Sequence, residues 1–221
     1  VRDNKLCCGL AFDGDADRCL AVDENGNLVD GDYLIAICAK DMKDRGVLKK
    51  NAVVGTIMTN MGFNKFCEEN GMKFVSTKVG DRYVLEAMLQ DGYNIGGEQS
   101  GHIILLDYET TGDGQLSGAT VLSIMKRTGD KLSSLAKVME RMPQVLINVK
   151  VSAEGKLAFY NDKEIKSEIK RVTDILGDRG RILVRVSGTE PLVRVMLEGE
   201  NLEEIQSLAE EAAQVVRERL A

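Results

Sequence analysis

The chain has 221 residues, 43% apolar and 29% charged, with a formal net charge of −6. That balance supports a packed core in one large domain or two ordinary ones, and an acidic excess without a basic tract disfavours nucleic acid as a partner. No run of 18 apolar residues and no signal peptide is read, so no membrane partner is expected.

The five cysteines, Cys7, Cys8, Cys19, Cys38 and Cys67, are odd in number and lack C-x-x-C spacing. Structural zinc and a disulfide framework are therefore disfavoured, and a reducing cytoplasmic setting fits. The chain opens on Val1 and runs almost at once into a strand-like segment, as a piece of a longer protein would.

In chain order, "LCCGLAF" reads as a buried strand, and "RCLAVDENGNLVDGD" as a hairpin turning at Asn25-Gly26. Residues 32–43 place Tyr33, Leu34, Ile37 and Cys38 at helical spacing. Strand "AVVGTIM", helix "NKFCEENG", strand "KFVSTKV", helix "DRYVLEAMLQDG" and strand "YNIGGEQS" follow, with Gly71 and Gly92 ending the two helices. This alternation predicts a largely parallel βαβ layer. The polar loop "ETTGDGQ" leads to helices over "LSGATVLSIMKRTG" and "KLSSLAKVMERM".

The pattern changes near residue 140. Strand "QVLINVKVS" precedes a helix capped by Asn161 with Glu164 three residues on, and strands "RILVRVS" and "LVRVMLEG" are joined by a tight loop. A closing helix begins at cap Asn201, with Glu204 as its capping-box partner. The fold class is α/β: a βαβ-type three-layer domain over residues 1–140, then a smaller α+β domain over residues 141–221.

Three loops carry the chemistry. "FDGDADR" sets Asp13, Asp15 and Asp17 at alternate positions, where an extended backbone points all three carboxylates one way. A hard divalent cation offsets their repulsion, and magnesium prefers such oxygens. Arg18 beside them suits an additional anion such as phosphate. An exposed acidic turn would leave the repulsion unanswered, and an EF-hand needs glycine where Arg18 stands. A D-x-D phosphatase with Asp13 as nucleophile wants Thr or Val at Asp17.

In "GGEQSGH", Glu98 and Ser100 suit sugar hydroxyls, and His102, the single histidine, can move a proton near neutral pH. A glycine-rich turn with a solvent-exposed histidine is an equal reading of this loop alone. In "RVSGTEPLVR", Ser187 and Thr189 offer hydroxyls, Gly188 lets backbone N–H groups approach an anion, and Arg185 and Arg194 offer forked donors. A hairpin with incidental arginines is the alternative.

Together and in this order, "DGDADR", "GEQSGH" and "RVSGTEP" resemble the metal, sugar and phosphate loops of the α-D-phosphohexomutases. "TKVGDRYV" resembles a further active-site turn, carrying Asp81 and Arg82, of the branch acting on glucosamine phosphates. The resemblance covers essentially the whole chain and implies the family's third and fourth domains, the fourth of TATA-binding-protein-like fold.

It further implies Mg2+ held by Asp13, Asp15 and Asp17, with Arg18 and His102 in catalytic roles and Glu98 and Ser100 on the sugar. Arg185, Ser187, Gly188, Thr189 and Arg194 would hold the phosphate that is not reacting. The family's phosphoserine loop, of the type T-A-S-H-N-P, does not occur in these residues. The implied partners are a phosphosugar substrate and the N-terminal domains of the same protein, and the chain alone is expected to be inactive. The implied reaction converts glucosamine 6-phosphate to glucosamine 1-phosphate through a bisphosphate. Alternatives are a family member acting on phosphoglucose or phosphomannose, and a non-catalytic phosphosugar-binding module.

Overall fold

The computed structural model describes residues 1–188 and 190–220, which divide into two units, Val1–Arg141 and Met142–Ala221. In the first unit, β1 (Cys8–Phe12), β2 (Cys19–Asp23) and β3 (Leu28–Val29) form an antiparallel sheet in that order. The turn after β2 is held by Asp23, whose carboxylate accepts the backbone N–H groups of Asn25 and Asn27 at 2.8 Å. Gly26 supplies the positive φ, +87°. β1 was expected to be buried. It is instead half-buried at its start and exposed at its end, with Phe12 44% exposed, because it is an edge strand.

Helix α1 (Gly31–Asp44) starts at Asp30, whose side chain accepts the Tyr33 N–H. The second sheet has the order β5-β4-β6-β7, built from β4 (Ala52–Thr56), β5 (Lys73–Thr77), β6 (Ile95–Gly97) and β7 (Ile103–Leu105). β4 pairs parallel with β5 and β6, and β7 closes the edge antiparallel to β6. Between them run α2 (Met61–Glu69) and α3 (Asp81–Asp91), the latter ending at left-handed Gly92.

Strand alternation divides the core in two. Val53, Ile95, Ile103 and Leu105 pack with Leu34, Phe63 and Phe66 of α1 and α2. Ala52, Val54 and Ile104 pack with Val84 and Met88 of α3. That gives the three layers. Helix α4 (Gly114–Thr128) begins at cap Asp113, inside the stretch expected as loop.

The helix expected over residues 131–142 is only α5 (Leu132–Leu135) followed by one 3-10 turn. Met139 is extended and buried in the same core as Leu132, so packing of Met139 ends the helix early.

The second unit has an antiparallel sheet of order β8-β10-β9, from β8 (Gln144–Lys150), β9 (Gly180–Val186) and β10 (Leu192–Gly199). A short α6 (Ala153–Ala158), unforeseen in the sequence, follows cap Ser152. The long helices α7 (Lys163–Leu176) and α8 (Leu202–Leu220) bury Ile165, Val172, Leu176, Ile205, Ala209 and Val216 against Val193, Val195 and Leu197. Asn201 does cap α8, accepting from the N–H groups of Glu203 and Glu204. The Glu204 carboxylate pairs with Arg179 at 2.9 Å in place of the capping-box role read for it.

The cap of α7 is Asp162, not Asn161: the Asp162 carboxylate accepts the Ile165 N–H at 3.0 Å and pairs with Arg219 at 2.9 Å. The Ile165 N–H bond first, then Arg219, holds this carboxyl below its ordinary value of 3.8. Its contribution to stability is therefore complete above the unfolded value and is lost as pH falls through that value toward the depressed folded one. Asp162→Ala is expected to cost the second unit about 1–2 kcal/mol at pH 7, and the gap from wild type should narrow at pH 3. Urea unfolding at the two pH values measures both.

Candidate active site

The metal-type loop lies between β1 and β2. Ala16 takes a positive φ of +60°, and its N–H donates to the Asp13 carbonyl at 3.2 Å, so the backbone curls instead of running straight. One ligand oxygen from each of Asp13, Asp15 and Asp17 lies within 4.8 Å of the others. The curl at Ala16 brings the three together.

The Asp13 carboxylate also accepts the Arg18 N–H at 3.3 Å. The Arg18 guanidinium sits 3.7 Å from Asp13 and 4.0 Å from Asp17. Asp17 Oδ1 is buried and accepts no hydrogen bond. Partial loss of water, then the Asp13 and Asp15 charges, push the Asp17 carboxyl above its ordinary value. Hard oxygen donors, converging charge and an unsatisfied buried lone pair all suit a small divalent cation.

The sugar-type loop is the turn between β6 and β7. Glu98 N–H donates to the His102 carbonyl, and Gly101 N–H to the Glu98 carbonyl, both at 2.9 Å. Gly101 has φ +95°, and a Cβ there would collide with the Cys19 carbonyl. That closeness is used: Cys19 N–H donates to the Gly101 carbonyl at 3.0 Å, and Arg18 and His102 form a lone antiparallel bridge. The first and second loops are thus laced together by backbone.

Arg18, Glu98 and Ser100 line one open cleft of about 330 Å3, with Thr56, Met58, Val79 and Gln99. Glu98 reaches back to the turn before α3, where its carboxylate accepts the Gly80 N–H at 2.9 Å. Asp81 and Arg82 lie at the start of α3 and are both exposed.

His102 departs from the exposed histidine weighed for this loop, since it is only 3% exposed. Its Nε2 faces Asp17 at 3.7 Å and Asp81 at 3.9 Å. Gly112 covers the ring so closely that a Cβ there would overlap three ring atoms. Gly112 carries no motif, and only its place against the ring marks it.

The phosphate-type loop belongs to the second unit. Register pairs Arg185 of β9 directly with Arg194 of β10, so the two side chains share a face of the sheet. Burial, then the Arg194 charge, hold Arg185 below the usual guanidinium value. Ser187 is buried, its N–H donates to the Leu192 carbonyl at 2.8 Å, and its Oγ accepts the Glu190 N–H at 3.3 Å. A Cβ on Gly188 would meet nothing within 4 Å, which leaves its backbone open to approach. Thr189 lies outside the described residues.

Residues 30–142 match the family model described as phosphoglucomutase/phosphomannomutase, alpha/beta/alpha domain III, and residues 146–215 match that family's C-terminal domain. The chain is 56% identical over 211 residues to a phosphoglucosamine mutase of Clostridium novyi, covering 96% of this chain and 47% of the relative. It is 54% identical over 220 residues to a phosphoglucosamine mutase of Caldanaerobacter subterraneus, covering 100% of this chain and 49% of the relative. The chain thus spans about half the length of these curated relatives.

Among solved structures, an Aspergillus fumigatus N-acetylphosphoglucosamine mutase shares the fold with a TM-score of 0.82 at 23% identity, over 95% of this chain and 48% of that one. A second structure from that organism, in complex with GlcNAc-6P and magnesium, aligns with a TM-score of 0.80 at 22% identity, over 96% of this chain and 49% of that one. Among the described residues, no helix is long and apolar enough to cross a membrane.

Proposed function

Since the chain belongs to the phosphoglucomutase/phosphomannomutase family, we propose that it supplies the metal, sugar and phosphate loops of a cytoplasmic mutase interconverting glucosamine 6-phosphate and glucosamine 1-phosphate. The observation that carries this reading is the position of Arg18. It stands 3.7 Å from Asp13 of the carboxylate cluster and also forms a wall of the cleft lined by Glu98 and Ser100.

In this reading Asp13, Asp15 and Asp17 hold Mg2+, which when bound withdraws negative charge from the transferring phosphoryl group. Arg18 steadies the anionic phosphoryl donor, a phosphoserine that the family's pattern places outside these residues. Ser100 and the remaining oxygen of Glu98 bind the sugar hydroxyls, and the Gly80 N–H fixes the Glu98 carboxylate for that task.

His102 is too enclosed to sweep the cleft, so its first task is to orient Asp17. Through Asp81 it ties the metal loop to the start of α3. Arg185, Ser187, Gly188, Thr189 and Arg194 grip the phosphate that is not reacting. Because each end of the bisphosphate is held in turn, they read phosphate and not one sugar carbon. The preference for glucosamine phosphates rests on the relatives of more than 50% identity.

The test is turnover. A full-length chain carrying the serine loop should interconvert glucosamine 6-phosphate and 1-phosphate faster than the glucose or mannose phosphates. The 221-residue chain alone should show none. Preference for glucose or mannose phosphate would move the protein to the sister branch. Turnover by the chain alone, abolished by Asp15→Asn, would overturn the dependence on an external phosphoserine.

A further inference from the structure

The phosphate-type loop has two cations and one internal anion. β9 and β10 set the Arg185 and Arg194 guanidiniums opposite each other, an arrangement that destabilises a bare sheet. Glu190 answers one of them, its Oε2 lying 2.7 Å from Arg194 Nη2. Among the described residues no carboxylate pairs with Arg185, which feels chiefly its own burial and the Arg194 charge.

The backbone of Glu190 is pinned. Its N–H donates to Ser187 Oγ at 3.3 Å, and its carbonyl accepts from Leu192 N–H at 2.8 Å and Lys156 Nζ at 3.0 Å. Its side chain is not pinned in this way, being about half exposed with Arg194 as its partner. Resting on the phosphate-loop reading above, we infer that Glu190 is a displaceable counter-anion. It neutralises Arg194 while the loop is empty and yields only to a ligand that can answer both guanidiniums.

Charge explains the selectivity. A phosphate monoester carries about −1.5 to −2 near pH 7, enough to neutralise Arg185 and Arg194 together. A monoanion offers no more than the Glu190 carboxylate, and Glu190 is tethered beside Arg194 at high effective concentration. The loop thus admits dianionic phosphate and refuses carboxylates and halides.

The experiment titrates the 221-residue chain with inorganic phosphate and with acetate, in EDTA so that the aspartate loop takes no part. Glu190→Gln is expected to bind phosphate about two- to five-fold more tightly than wild type, the strength of one partly exposed ion pair. It should also acquire measurable acetate binding, while Arg185→Ala loses phosphate in either background. Equal or weaker phosphate binding by Glu190→Gln, with Arg185→Ala still abolishing it, overturns the counter-anion and leaves the phosphate loop standing. Phosphate binding that ignores Arg185→Ala removes both. Glu190→Ala and melting temperatures confirm that the variants compared are folded.

Discussion

Asp15→Asn in the full-length enzyme is expected to lower kcat by at least about 100-fold, since even groups that only support metal ligands are worth 10–100-fold. Asparagine keeps the size and one oxygen of aspartate but removes a charge. Three carboxylates with ligand oxygens inside 4.8 Å repel one another unless a cation is present. The substitution should therefore act in opposite directions on two measurements. Magnesium affinity, read by calorimetry on the 221-residue chain, should fall. Thermal stability in EDTA should hold or rise slightly, because a repulsion has been removed from an exposed loop. Equal magnesium affinity in variant and wild type would remove the metal site. A fall in melting temperature without metal would mean that Asp15 serves the fold instead.

Gly112→Ala is expected to disturb the site through His102. The new Cβ would overlap three atoms of the His102 ring, which is nearly fully buried and flanked by Asp17 and Asp81. Either the 109–113 segment or the ring must move, and overpacking of this kind costs about 1–3 kcal/mol. If the ring moves, it carries the orientation of Asp17 with it. Turnover in the full-length enzyme should then fall by roughly tenfold or more, as for loss of a group supporting a metal ligand. A double-mutant cycle separates the causes. His102→Ala makes room, so Gly112→Ala/His102→Ala should unfold at higher urea than additivity of the single variants requires. Strict additivity would show that Gly112 and His102 do not press on one another.

The gathering of Asp13, Asp15 and Asp17 was legible because it is local: three carboxylates within five residues fall in one turn, and Arg18 follows in the same turn. The order of strands and helices, the turn at Gly26, the stop at Gly92 and the cap at Asn201 are legible for the same reason. Each depends on a few neighbouring residues, through backbone conformation or a side chain reaching its own N–H groups. Asn161 against Asp162 shows the limit of that argument, since both are good caps and one residue of phase decides between them. The Arg219 contact, 57 residues away, adds to Asp162.

What only the tertiary structure decided lies at long separation. His102 meets Asp17 and Asp81 because the antiparallel turn at Gly101 is laced to Cys19 and because Gly112 lets a loop close over the ring. Glu98 meets the Gly80 N–H, and Arg185 meets Arg194, through strand order and register. A one-residue slip of β9 on β10 would put those guanidiniums on opposite faces. Residue types at a motif are fixed by the chemistry they carry. Distances between motifs are fixed by how the sheets and helices close their core, and many sequences of the same local pattern could have closed it differently.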